Sequence, residues 1–191
     1  MTSPQVSIII PSFNGKDKVI RLLNSLEQQT CLALEVVVVL DGSTDGSAEA
    51  IYSRVWKLFP LKIIEQKNNG RASARNTGVA HATTDLLLFF DDDMIPAISC
   101  VQEFISFHQQ HKNIIALGQI IEPASKEDPE IKKYKDHLNI TWNNNLTAYR
   151  NKIIPNTVVV LSAANFSIST FLFNKLNGFD ESLKDVEDYD F

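Results

Sequence analysis

Leu86-Leu87-Leu88-Phe89-Phe90-Asp91-Asp92-Asp93 is the stretch on which the reading of this chain turns. Five apolar residues in an unbroken run suit a strand buried on both faces, as in a mostly parallel sheet. Three carboxylates follow at once, and open α/β sheets bind their ligands at the carboxyl ends of the strands. Adjacent negative charges repel, so a fold that keeps them together is expected to bring them a cation. Oxygen-only ligands favour a hard ion, Mg²⁺ or Mn²⁺, which in turn holds phosphate oxygens. Taken alone, the segment also reads as a solvated acidic turn.

Outward from this strand, apolar runs alternate with amphipathic ones. Residues 6–10 read as a first strand, stopped by Pro11, and 17–29 as a helix with Val19, Leu22, Leu23 and Leu26 on one face and Asp17 as its cap. The four successive valines within 35–40 mark a second strand buried on both faces. Residues 45–47 then lead into a helix reaching about residue 58. A third strand is expected at 61–65, a third helix at 70–83, a fourth helix at 98–111 and a further strand at 114–121. This succession predicts an α/β fold, a mostly parallel sheet with helices on both faces and right-handed crossovers. Over 122–156 charges, asparagines and prolines replace the alternation. That stretch reads as an excursion over the sheet's edge, suited to acceptor contacts, with one short helix at 129–138. A strand at 158–161 and a short helix at 171–176 complete the pattern.

Composition narrows the class. The 191 residues carry a net charge of −5 and no Lys/Arg block, which argues against nucleic acid as a partner. Cys31 and Cys100 form neither a metal pattern nor a disulfide framework and are expected to be buried, reduced thiols. No leader peptide and no membrane-spanning stretch is read, so a cytoplasmic protein is expected, with peripheral association at the inner face of a membrane left open.

The loops after the first four strands are polar in a consistent way. They are Pro11-Ser12-Phe13-Asn14, then Asp41-Gly42-Ser43-Thr44-Asp45-Gly46-Ser47, then Asn68 through Asn76, then the three aspartates. Such loops converge on one rim, where a nucleotide can lie across the crevice.

This ordered set closely resembles the family 2 glycosyltransferases, inverting enzymes of the GT-A fold that take a sugar from a nucleotide-sugar donor. Val6 to Asn14 is similar to the family's opening strand and "PxxN" loop, and Asp41 through Ser47 to its "DDGSxDGT" stretch. Asn69-Gly70 through Ala74-Arg75-Asn76 is similar to "NxGxxxARN", and Asp91-Asp92-Asp93 to the DxD motif. Asn177-Gly178-Phe179-Asp180-Glu181 and Glu187-Asp188-Tyr189-Asp190 resemble "GxFDE…EDxD". The resemblance covers nearly the whole chain. It implies a single GT-A (Rossmann-like) domain over 1–191, with a nucleotide-sugar-binding half at 1–118 and an acceptor-side half at 119–191.

The resemblance also implies roles. Asp41 matches the acid that accepts a hydrogen bond from the base, usually uracil, and its other reading is a strand-end turn. Pro11, Ser12, Asn14, Gly70 and Asn76 are expected around the nucleotide, and Asp91 and Asp92 near ribose and diphosphate. Asp93 is the expected metal ligand, with Asp91 beside it. The helix starting near Gly70 offers N–H groups to the diphosphate. Arg75 adds a charge-assisted bond to it, or else forms a surface ion pair. Asp188 matches the general base, with Glu187 as the alternative. The implied cofactor is Mn²⁺ or Mg²⁺, the donor a UDP-sugar, and the acceptor a glycan or glycolipid in polysaccharide or glycolipid synthesis.

Two departures stand out. Leu40-Asp41 replaces the family's paired aspartates, and the sequence stops at Phe191, before the helix that normally follows, so the acceptor-side half is expected to be truncated. Two other functions fit the layout. A sugar nucleotidyltransferase would open with a glycine-rich, cationic loop where this chain has Pro11-Ser12-Phe13-Asn14-Gly15. A non-catalytic nucleotide-sugar-binding module would need only the donor half.

Overall fold

The computed structural model describes residues 3–120 and 162–183. Their elements, in order, are β1 (Val6–Ser12), α1 (Lys16–Leu26), β2 (Leu34–Asp41), α2 (Ser47–Tyr52), β3 (Leu61–Gln66), α3 (Arg71–Ala80), β4 (Leu86–Phe90), α4 (Cys100–Gln110), β5 (Ile115–Leu117), β6 (Asn165–Ser169) and α5 (Thr170–Lys175). By its internal contacts the chain divides into residues 1–117 with 161–191, and residues 118–160. All these elements belong to the first unit. The helix expected at 129–138 and the strand expected at 158–161 lie outside the described residues.

The sheet has six strands in the order β3-β2-β1-β4-β6-β5. β1 pairs in parallel with β2 and β4, and β2 with β3, while β6 runs antiparallel to both β4 and β5. The chain thus winds one way from β1 to β3 and then crosses back to place β4 on β1's other side. Between β1 and β4 the following loops diverge, and this reversal opens the crevice in which α/β sheets hold ligands.

Alternation of side chains explains why β1, β2 and β4 are apolar throughout. Ile8, Ile10, Val36, Val38, Leu88 and Phe90 face α1 and α4, packing on Val19, Leu22, Leu23, Leu26, Val101, Phe104 and Ile105. Ile9, Val37, Val39, Leu87 and Phe89 face the opposite layer with Ala72, Ala74 and Val79 of α3. There Phe89 stacks on Phe166 at 4.5 Å between centroids and meets the edge of Phe179 at 5.8 Å. α3 lies so close to the sheet that a Cβ at Gly78 would collide with the Ile9 side chain.

Several boundaries differ from the sequence reading, each for a local reason. β1 does not stop at Pro11 but runs to Ser12, with Pro11 opposite Val39. The β4 ladder has already ended at Ile9–Phe89, so Pro11 sits where β1 has a neighbour on one side only and needs no N–H there. α1 starts at Lys16 with Gly15 as its cap, leaving Asp17 inside the first turn instead of capping it. α2 ends at Tyr52 and not near residue 58. The Trp56 indole N–H donates to the Ile51 carbonyl at 3.1 Å, occupying an acceptor that a longer helix would have used. β6 is a strand that the sequence reading missed. Cys31 and Cys100 are free thiols, half-buried instead of buried, and burial together with Glu103 pushes the Cys100 thiol up to about 11.

Candidate functional site

The crevice at the β1/β4 reversal is a cleft of about 260 Å³ lined by Pro11, Ser12, Phe13, Lys18, Asp41, Arg71, Ala74, Asp91, Asp92 and Asp93. It draws on the ends of β1, β2 and β4 and on the first turns of α1 and α3. Six sequence-predicted residues therefore meet in one place: Pro11, Ser12, Asp41 and the three aspartates. The other predicted residues of the described chain, Asn14, Gly70, Arg75 and Asn76, do not line it.

At the β4 end the three acids part ways. Asp91 accepts from Arg75 Nη2 at 2.7 Å, and the Arg75 side chain, 2% exposed, also lies over the Phe179 ring. Asp92 accepts from the Ser12 hydroxyl at 2.6 Å. Its carboxylate fills the space where a Cβ at residue 15 would sit, which is why Gly15 is a glycine. Burial holds the Asp92 carboxyl above its ordinary value; Ser12 and Lys18 work against this, and the charges of Asp93 and Asp91 add to it. Asp93, half-exposed, faces the Lys18 ammonium at 3.4 Å.

Those partnerships decide which acids could hold a metal. Among the described residues no three His, Cys, Asp or Glu side chains converge on one point. A magnesium-type ion, however, is commonly held by one or two carboxylates together with substrate phosphates. Asp93 with an oxygen of Asp91 fits that arrangement, since both line the cleft and neither is buried.

At the β2 end, Asp41 is 4% exposed and its carboxylate is held by three N–H groups. Oδ1 accepts from Gln66 Nε2 at 2.8 Å and from the Asn69 N–H at 2.9 Å, and Oδ2 from the Gly70 N–H at 2.9 Å. The Gly70 N–H, expected to face a diphosphate, is thus directed at Asp41. Asn14, at φ +50°, joins the first two loops: its side-chain oxygen accepts from the Thr44 N–H at 2.8 Å and its own N–H donates to Ser43 Oγ at 3.0 Å. Asn76 clamps the 179–181 segment, donating to the Phe179 carbonyl and to Glu181 and accepting from the Phe179 N–H. Glu187 and Asp188 lie outside the described residues.

Four cleft residues went unassigned in the sequence reading: Phe13, Lys18, Arg71 and Ala74. Phe13 lay inside the loop after β1 and is 54% exposed, an unusual position for a phenylalanine. Lys18 carried no sequence signal beyond its charge and faces Asp93 from α1, while Arg71 lay inside the loop at 68–76 and lines the cleft from the start of α3. The α3 cation that lines the cleft is Arg71, four residues before the buried Arg75.

The model of the family described as glycosyl transferase family 2 matches residues 7–176. An uncharacterized glycosyltransferase of Haemophilus influenzae is 32% identical over 197 residues, which is 97% of this chain and 60% of the relative. The uncharacterized glycosyltransferase YfnE of Bacillus subtilis is 36% identical over 116 residues, 60% of this chain and 29% of its own length. Among solved structures, S. aureus TarS 1-349 in complex with UDP matches with a TM-score of 0.75 at 22% identity, covering 96% of this chain and 52% of that one. The mannosyltransferase PcManGT of Pyrobaculum calidifontis, in complex with GDP-Man and Mn2+, matches at 0.69 and 21%, covering 98% and 51%. The chain therefore spans less than two thirds of each of these proteins. At such identities the two structures speak to the fold, a GT-A type sheet.

Proposed function

The chain belongs to glycosyl transferase family 2, and from that membership we propose that it moves a sugar from a nucleotide-sugar, a UDP-sugar first, to an acceptor hydroxyl with inversion, aided by Mn²⁺ or Mg²⁺. The observation that carries this reading is the cleft itself. Asp41 from the end of β2, Asp91–Asp93 with Lys18 beside them at the end of β4, and Arg71 from α3 all line one crevice at the sheet's reversal point. UDP and GDP-Man in the related structures support a nucleoside-diphosphate donor.

In this reading Asp41 fixes the base, and Ser12 and Arg75 hold Asp92 and Asp91 in place for ribose and diphosphate. Asp93, with Asp91, would hold the divalent ion, which when bound would offset the charge growing on the departing diphosphate. Arg71 and Lys18 add positive charge along the same wall. Asp188, or Glu187 beside it, takes the proton of the acceptor hydroxyl as that oxygen attacks. One displacement inverts the anomeric centre, so no covalent sugar–enzyme step is needed. The acceptor is assigned to glycan or glycolipid chemistry, with residues 119–191 on its side. Among the described residues no helix is long and apolar enough to cross a membrane.

Isothermal titration of the chain with UDP, GDP, CDP and ADP, with and without Mn²⁺, tests the reading. Metal-dependent micromolar binding of UDP is expected. Binding of none of the four would remove the donor site and with it the transferase assignment for this chain.

A further inference from the structure

The base-side acid of the cleft has a neighbour that the motif reading did not include. Gln66 is the last residue of β3 and the register partner of Asp41 on β2, so the ladder itself sets the two side by side. Of the three donors on the Asp41 carboxylate, two are backbone N–H groups of Asn69 and Gly70, and Gln66 Nε2 supplies the third from a side chain. A carboxylate has about four acceptor positions. Two on Oδ1 and one on Oδ2 are taken, which leaves one, on Oδ2, for a ligand in the cleft.

We propose that Gln66 is a specificity-determining positioning residue: by anchoring Oδ1 it aims the free Oδ2 position of Asp41 at the base, and so selects donors whose base carries a ring N–H. Uracil and guanine present such an N–H. Cytosine and adenine present, beside their amine, a bare ring nitrogen whose lone pair would face the carboxylate. Discrimination of this kind comes from leaving the wrong ligand's polar group unpaired in a desolvated site. Without Gln66 the carboxylate keeps its backbone contacts but loses one of two anchors on Oδ1, and the aim of Oδ2 relaxes. The proposal rests on the donor-site reading above and adds to it the basis of nucleotide choice.

The test measures binding of UDP, CDP and pyrophosphate, each with Mn²⁺, to the wild-type chain and to Gln66→Leu and Gln66→Lys. Wild type is expected to prefer UDP over CDP. In Gln66→Leu, UDP affinity should fall about tenfold as the bond between Asp41 Oδ2 and the base loses its alignment, with CDP and pyrophosphate unchanged. Gln66→Lys restores an N–H donor and should keep the preference. A UDP-to-CDP ratio that stays within about twofold of wild type in Gln66→Leu overturns the positioning role. Loss of UDP and pyrophosphate together in Gln66→Leu also overturns it, because that marks a fold defect and not a change of base selection. Wild type that binds pyrophosphate but shows no preference between UDP and CDP overturns the selectivity. Wild type that binds nothing overturns the donor-site reading beneath it, a distinct failure.

Discussion

The two rims of the sheet each carry a shielded acid, Glu35 at one and the half-buried Asp92 at the other, and they treat it in opposite ways. At the amino-terminal rim Glu35 is 3% exposed and its carboxylate is saturated. Ser7 Oγ donates to it at 2.6 Å, the Thr83 N–H at 2.6 Å, Thr83 Oγ1 at 2.8 Å and Lys62 Nζ at 3.3 Å. Burial alone would raise its pKa, but these four donors outweigh it and leave the group below its ordinary value. At the carboxyl-terminal rim burial holds Asp92 above its ordinary value, opposed by one hydroxyl at 2.6 Å and a lysine at 4.0 Å and reinforced by two like-charged neighbours. The lesson is that burial alone does not set an acid's environment. A carboxylate given every donor it can use stitches strands together, whereas one placed beside other carboxylates and left short of donors is the kind that the proposed donor site would use.

Substitutions at the two rims should separate these roles. The largest effect is expected from Glu35→Ala, which strands the Ser7 and Thr83 donors; unfolding in denaturant should show a loss of about 2–3 kcal/mol, with metal-dependent UDP affinity of the folded fraction unchanged. Because the Glu35 pKa is depressed in the fold, its contribution is present above the ordinary carboxylate value and disappears as pH falls through the depressed one. Acid melting curves of wild type and Glu35→Gln should therefore converge at the acid end. A Glu35→Ala protein of normal stability that has lost UDP would erase the distinction between the rims. Next in size, Asp93→Asn should weaken Mn²⁺-dependent UDP binding by at least about tenfold, some 1.4 kcal/mol, and leave melting temperature nearly unchanged. Unaltered affinity in titration would move the metal site elsewhere. The smallest effect is expected from Asp92→Asn. It removes a charge that the fold opposes above the raised pKa while keeping an acceptor for Ser12. Without divalent ions its melting temperature should rise by about 1–3 °C; a clear fall would make Asp92 a structural acid like Glu35.

Much of the fold could be read from the chain because the central strands are buried on both faces. Leu86–Phe90 and the valines of β2 have no polar positions to blur them, and α1 shows its buried face at Val19, Leu22, Leu23 and Leu26. β6 was not readable for the opposite reason. Asn165-Phe166-Ser167-Ile168-Ser169 alternates like a strand with one wet face, yet Asn165 and Ser167 are buried too, because β6 lies between β4 and β5 and Ser167 meets His108 Nε2 at 2.8 Å. That insertion depends on partners in β4, α4 and β5, all far away in the chain. The end of α2 likewise depended on a side chain, Trp56, bonding back to a carbonyl.

The site divides along the same line. By itself the sequence determined the acids and their order, because strand-end loops of an α/β alternation must fall on one rim and three adjacent carboxylates are legible wherever they occur. It determined the family as well, through Pro11 to Asn14, Asp41 to Ser47, Asn69 to Asn76 and Asp91 to Asp93. Only the tertiary structure decided how each acid is used. Arg75 is buried against Asp91 while Arg71 reaches the cleft, Lys18 faces Asp93 from α1, and Gln66 anchors Asp41 from β3. The physical reason is that a carboxylate's role is set by the donors and charges within a few ångströms of it, and here those come from elements far apart in the chain.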